Sequence, residues 1–167
     1  FAGWEHADSI GFNPHKWLGV GFDCTLYYVR DPELLIRVMS TNPSYLQSAA
    51  DGRIKNYKDW GIQLGRRFRA LKIWFALKAE GVEGLQARLR RDLENARWLE
   101  AEVHQTPGWK ILAPVRLQTL CFRHEPEGLT PEQTSQHNKA WVDRLSASGK
   151  VMLGATMLDG SWVARVS

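Results

Sequence analysis

ADSIGFNPHKWLGVGFDC, residues 7–24, sets a lysine between a histidine and a tryptophan just after a proline. Ser9 to Asn13 and Cys24 to Arg30 are short, apolar, β-rich runs, and the Pro14 to Asp23 connection between them predicts two neighbouring strands with Lys16 on a loop beside the sheet. Pro14 has a fixed φ and confines Asn13 to extended backbone, so the loop leaves its strand in a set direction. A lysine in such a place can attack an aldehyde as a Schiff-base nucleophile if desolvation lowers its ammonium pKa, because only the neutral amine is nucleophilic. Trp17 and Leu18 offer apolar neighbours, while Asn13 and His15 carry hydrogen-bonding groups suited to a phosphate or a polar ring substituent. Taken by themselves the same residues also describe a solvated His-Lys turn, and both descriptions stay open at this point.

Beyond this stretch, strands and helices alternate. Asp31-Pro32-Glu33 combines an N-cap, a proline at the first helical position and an acid in the first turn, predicting a short helix to about Met39. Residues 40–61 are polar and rich in turn formers, long enough without a regular pattern to predict a functional loop. Leu64, Phe68, Leu71 and Phe75, widened by Ile73, Trp74 and Leu77, predict a helix buried on more than one side and stopping at Gly81. Val82, Leu85, Leu89, Leu93, Ala96, Leu99 and Val103 predict a second, amphipathic helix ended by Thr106-Pro107-Gly108. Strands are expected at Trp109 to Leu112 and Leu117 to Arg123. A capping box at Thr130-Pro131-Glu132-Gln133 opens a helix to about Ala147, with Gly149 closing it. Val151 to Leu158 and Ser161 to Val166 flank Asp159-Gly160, a two-residue hairpin signal. This last part reads as a small α+β unit.

Composition narrows the function classes. With 44% hydrophobic and 24% charged residues in 167, the chain has a globular balance and can bury a real core. A net charge of +4 is too mild to call for nucleic acid, and Arg66, Arg67, Arg69 and Lys72 fall on a predicted helix whose other faces are apolar. Eight tryptophans suit packing at interfaces. Cys24 and Cys121 lie far apart, without the spacing of a disulfide framework or a metal knuckle, which points to a reducing, cytoplasmic setting. His6, His104, His124 and His137 show no ligand spacing, so no metal is expected. No apolar run is long enough to span a membrane, and no basic leader is evident, so a soluble protein is expected. Because the chain begins at Phe1 without methionine and stops at Ser167 inside a strand pattern, a fragment of a longer protein is expected.

Three separated blocks carry a resemblance. Ala7-Asp8-Ser9, Phe12-Asn13-Pro14-His15-Lys16-Trp17 and Phe22-Asp23-Cys24 form the first. Asn42-Pro43-Ser44-Tyr45-Leu46, Tyr57-Lys58-Asp59-Trp60 and Leu64-Gly65-Arg66-Arg67-Phe68-Arg69-Ala70-Leu71-Lys72 form the second. Trp74-Phe75 with Gly81-Val82-Glu83-Gly84-Leu85 is the third. In type and order these resemble the pyridoxal-phosphate-dependent decarboxylases of the aromatic-L-amino-acid type, the group II decarboxylases, over essentially the whole chain and most closely through Leu85. The resemblance implies an α/β fold of the pyridoxal-phosphate-dependent transferase type (fold type I). Residues 1–79 would be the end of the large cofactor-binding domain, with a mobile loop near 40–61, and residues 80–167 most of the small C-terminal α+β domain, incomplete at its end.

It also implies roles. Lys16 matches the lysine that forms the Schiff base with pyridoxal 5'-phosphate; Asn13 matches a residue that helps hold the cofactor phosphate; His15 lies beside the cofactor. Tyr45 matches a loop tyrosine, covering the neighbouring subunit's active site, that protonates Cα after decarboxylation; relatives with phenylalanine there tend to be aldehyde synthases. Gly65 matches a position held by glycine or serine, the smaller residue leaving room for an aromatic substrate. The implied function is conversion of an L-aromatic amino acid to its amine and CO2 by a homodimer, a carboxy-lyase activity of amino-acid metabolism. The alternatives within the family are an aromatic acetaldehyde synthase or a decarboxylase of another amino acid; from another class, a non-catalytic dimerisation or interaction module. The family's stacking histidine and pyridine-pairing aspartate belong to upstream segments, so the isolated chain is expected to be inactive.

Overall fold

In the computed structural model, which describes residues 2–167, the polypeptide divides into two compact units, one running up to Leu85 and the other from Gln86 to Ser167. Among the described residues no helix is long and apolar enough to cross a membrane.

The first unit is built on two antiparallel strands, β1 (Ser9–Phe12) and β2 (Leu26–Val29), paired from Ser9 opposite Val29 to Phe12 opposite Leu26. Helix α1 (Pro32–Met39) follows, with the Asp31 carboxylate accepting from the Leu34 N–H 3.1 Å away as the sequence predicts. Residues 40–61 contain only two short 3-10 turns, Ser44–Leu46 and Tyr57–Trp60. The second is tied back to the end of α1: Asp59 Oδ1 accepts from Ser40 Oγ at 3.0 Å and from Lys58 Nζ at 2.8 Å, and Lys58 also reaches Asn42 Oδ1 at 3.1 Å. Lys58 foremost, then the Ser40 hydroxyl, hold the Asp59 carboxyl below its usual range.

Helix α2 (Ala70–Gln105) departs from expectation at its start. Apolar spacing predicts helix from Leu64, yet residues 64–69 are irregular. Gly65 weakens a helix there, and the Arg66 and Arg69 side chains are drawn away, to the Tyr57 carbonyl and the Asp23 carboxylate. The expected burial on two sides is also corrected: Phe68, Leu71, Trp74, Phe75 and Leu77 are all exposed within this chain, Trp74 and Phe75 meeting edge to face at 5.2 Å. A periodic stripe reports that side chains are apolar, not what covers them. The predicted stop at Gly81 is present as a break, with φ 70° and ψ 165°, a left-handed backbone that glycine adopts without a Cβ clash. Past the break Val82 is exposed, whereas Leu85, Ala96 and Val103 are buried.

The second unit packs the C-terminal part of α2 and helix α3 (Pro131–Ala147) with a four-stranded antiparallel sheet of order β3-β4-β6-β5. Its strands are β3 (Trp109–Ile111), β4 (Leu120–His124), β5 (Gly154–Leu158) and β6 (Ser161–Val166). Ala96, Val103, Leu120, Phe122, Val142 and Ala164 form the core. Fully burying one such Leu or Val is worth roughly 1.5–3 kcal/mol. Both local signals read from the sequence are realised. Thr130 and Gln133 make the reciprocal capping box, and Asp159 (φ 47°) and Gly160 (φ 76°) are both left-handed, as a type I′ hairpin requires.

Trp109 stacks on His124 at 4.8 Å, and His124 Nδ1 lies 3.0 Å from Nε2 of His137 on α3. Burial, then the neighbouring His124 and Arg144 charges, push the His137 imidazole below its ordinary value. The fold therefore favours neutral His137. Its contribution is complete above the unfolded value of 6.5 and is lost as the pH falls from there through the lower folded value. Thermal melts between pH 8 and pH 5 are expected to show a loss of stability in the wild type that is smaller in His137→Gln; equal slopes for the two proteins would contradict this.

Candidate active site

The β1–β2 connection is held by its own backbone. Lys16 N–H donates to the Asn13 carbonyl at 3.0 Å, Gly19 N–H to the Lys16 carbonyl at 3.0 Å, and Val20 N–H to the Pro14 carbonyl at 3.1 Å. Pro14, Val20 and Cys24 are buried and give this loop a small core, while Lys16 itself is exposed. The main chain of Lys16 is thus pinned on both sides, and its amine is carried on a side chain open to solvent.

Two neighbours are oriented by the same loop. Thr25 Oγ1 donates to Asn13 Oδ1 at 2.6 Å, which fixes the carboxamide and leaves its nitrogen as the donor side. His15 Nδ1 stands between the Cys24 N–H at 3.1 Å and the Cys24 carbonyl at 2.5 Å, and the ring meets Phe22 edge to face at 5.0 Å. Whichever tautomer it adopts, Nδ1 is committed to the Cys24 main chain, so only the Nε2 edge and the ring face remain for a ligand. The donor set is a held lysine amine with an oriented amide and an imidazole close by in the chain. It fits a phosphorylated aldehyde.

The other candidates lie elsewhere. Tyr45 sits on the Ser44–Leu46 turn, 76% exposed, and no described contact joins it to Lys16. Gly65 is exposed, and a Cβ built there meets nothing within 4 Å, so neither backbone strain nor local crowding demands glycine.

A set of contacts that sequence reasoning did not find supports the loop from residues 67–72. Arg69 donates to Asp23 Oδ2 through Nε at 3.1 Å and a terminal nitrogen at 2.8 Å, with Arg67 at 3.5 Å from Oδ1. Lys72 Nζ faces the carbonyls of Gly21, Phe22 and Asp23 at 3.3, 2.8 and 3.3 Å. Arg69 above all, with its positive charge and that of Arg67, holds the Asp23 carboxyl far below the usual carboxylate range. The partners are more than forty residues apart, and only the acid and bases themselves were visible as a signal. Among the described residues no three His, Cys, Asp or Glu side chains gather as a metal site, and both cysteines are free.

Solved decarboxylase structures superpose on 97–99% of this chain, which makes its mixed helices and sheets an α/β piece of the fold-type-I architecture. Residues 1–125 match the profile described as the pyridoxal-dependent decarboxylase conserved domain. The chain belongs to that family. It is 37% identical over 166 residues to a tryptophan decarboxylase of Camptotheca acuminata, covering 98% of this chain and 33% of that protein. It is 38% identical over 165 residues to a phenylacetaldehyde synthase of Arabidopsis thaliana, covering 98% and 34%. The crystal structure of Oryza sativa TDC with PLP and tryptamine superposes with a TM-score of 0.91 at 34% identity, covering 99% of this chain and 35% of that one. The chain spans about a third of the length of the curated relatives it matches.

Proposed function

We propose that this chain is part of a pyridoxal-phosphate-dependent carboxy-lyase that converts an L-aromatic amino acid into its amine and CO2. The observation that carries the reading is the loop of Lys16, whose backbone is hydrogen-bonded on both sides of the lysine and which has its own small core; the desolvation expected from Trp17 and Leu18 is not met within this chain, where Lys16 is exposed. Pyridoxal phosphate, when bound, supplies an electron sink for the pair left behind as carbon dioxide departs. Lys16 would hold the cofactor aldehyde, the Asn13 amide nitrogen would donate to its phosphate, and His15 would lie beside the ring. Tyr45 delivers a proton to Cα from its loop, and Gly65 leaves room for the substrate ring. Residues 1–79 are read as the end of the large domain and 80–167 as most of the small one. The exposed Phe68, Leu71, Trp74 and Phe75 support a homodimer, and the two free cysteines support a cytoplasmic setting.

Borohydride reduction of the full-length protein loaded with pyridoxal phosphate, followed by peptide mapping, tests the assignment. The label is expected on Lys16, and label on another lysine in its place overturns the reading. The aldehyde-synthase reading stays as the second one because the chain is 38% identical to a phenylacetaldehyde synthase and 37% identical to a tryptophan decarboxylase, and by the resemblance the tyrosine at position 45 favours plain decarboxylation. Tyr45→Phe is expected to lower amine formation about a hundredfold, the usual worth of a positioned proton donor. Aldehyde, ammonia and hydrogen peroxide should appear in its place, with oxygen consumed. A variant that still makes only amine at the wild-type rate removes Tyr45 from the mechanism.

A further inference from the structure

The contacts around Asp23 run in a line that ends at Lys16. Lys72 Nζ has three protons to donate and faces three carbonyl oxygens, those of Gly21, Phe22 and Asp23. Arg69 grips the Asp23 carboxylate with two nitrogens, and its own carbonyl is 3.7 Å from Cys24 Sγ. Residues 21–24 are therefore strapped to the start of α2 through side chain and backbone together. On its other side the strap holds His15, because the Cys24 N–H and carbonyl both address His15 Nδ1. His15 directly precedes Lys16, and the Lys16 backbone is in turn bonded to Asn13 and Gly19.

We propose that Arg69 and Lys72 are positioning residues for Lys16: by fixing residues 21–24 they fix His15 through the Cys24 main chain, and so set the direction in which the Lys16 amine leaves the loop. This rests on the reading of Lys16 as the cofactor lysine. The physical case is one of acceptors. Without the Lys72 ammonium, three carbonyls of one short segment lose a charged donor, and charge-assisted hydrogen bonds are stronger than neutral ones. Without Arg69, the Asp23 carboxylate is left, among the ion-pair partners of the described residues, with the weaker contacts of Arg67 and Lys72 at 3.5 and 3.7 Å. Either loss frees the strap rather than the strands, so the effect falls on the lysine loop.

The test uses the full-length protein and two readouts: hydrogen exchange of the peptide covering residues 12–24, and the share of borohydride-trapped pyridoxal phosphate found on Lys16. In Lys72→Met, exchange of the 12–24 peptide is expected to quicken roughly tenfold as the segment opens locally. The Lys16 share of trapped label is expected to fall by a similar factor, about tenfold, as other lysines compete. Lys72→Arg, which keeps a cation with several donors, is expected to return both readouts toward wild type. Exchange in Gly154–Leu158 and Ser161–Val166 reports whether the rest of the chain is intact. Asp23→Asn weakens the Arg69 arm together with the longer Arg67 and Lys72 contacts to the carboxylate, but leaves the Lys72 bonds to the three carbonyls, and gives a second, milder variant if Lys72→Met does not fold; the same two changes are expected at smaller size. Unchanged exchange in the variants, or faster exchange with an unchanged Lys16 share, overturns the proposal. Wild-type label on a lysine other than Lys16 instead overturns the functional reading, and the exchange arm then still shows whether the strap holds the loop.

Discussion

Lys16→Ala in the full-length protein is expected to lower amine formation by about a thousandfold or more, since it removes the nucleophile and any proton transfer the amine performs. The fold should survive the change. The backbone hydrogen bonds of Lys16, to Asn13 and from Gly19, are independent of its side chain, and that side chain is exposed. Surface substitutions away from special features stay within about 0.5 kcal/mol. Activity should therefore fall while the melting temperature stays in place, and the cofactor's visible absorbance should lose its lysine-bound form. Lys58→Ala is a useful contrast. Its ammonium is committed to Asp59 and Asn42, so it should shift stability without removing the chemistry. Wild-type turnover in Lys16→Ala, or a loss matched by unfolding, would take Lys16 out of the mechanism.

What the sequence disclosed was local. The Asp31 cap, the Thr130–Gln133 capping box and the Asp159-Gly160 hairpin each rest on a few adjacent residues whose chemistry admits little else, and each is present. That Asn13, His15 and Lys16 share one loop was legible for a related reason, since they are near neighbours in the sequence; their roles came only through the resemblance and stand as a proposal. The start of α2 was not legible, because the spacing of Leu64 and Phe68 mimics a helix while Arg66 and Arg69 are engaged elsewhere. The strap on Asp23 joins residues 44 to 51 positions apart, and periodicity carries no trace of such pairs. Tyr45 shows the reverse case. It was singled out through the resemblance, and within this chain it remains on an exposed turn with no described contact to the lysine loop.

The least legible residue in the second unit is also the one whose loss should cost the most stability. Asn138 is 0% exposed on α3, where a polar side chain would ordinarily face water. The sheet register explains it. Strands β4 and β6 pair from Leu120 opposite Val166 to Phe122 opposite Ala164, and the next hydrogen-bonding rung would join His124 to Trp162. That rung is taken over by α3. Ser135 Oγ accepts from Trp162 N–H at 2.9 Å, while Asn138 Oδ1 accepts from His124 N–H and Nδ2 donates to the His124 carbonyl, both at 2.8 Å. The carboxamide thus stands in for the missing stretch of strand. It also donates to the Thr134 carbonyl and accepts from Trp141 Nε1, each at 2.8 Å. Asn138→Leu would leave the His124 N–H and carbonyl and the Trp141 N–H without these partners, at about 1–3 kcal/mol for each group that stays buried. A total near 3–5 kcal/mol is expected, and a melting temperature lower by about 10 °C. Ser135→Ala, which orphans one donor, should cost about 1–3 kcal/mol. Asn138→Asp separates polarity from geometry, because an ionised carboxylate can accept from His124 N–H and Trp141 but cannot donate to the His124 carbonyl. It should be destabilised at pH 7 and recover in part as the carboxyl is protonated. An Asn138→Asp protein as stable as wild type at pH 7 would show that any buried polar group suffices, and that Asn138 does not replace the missing rung.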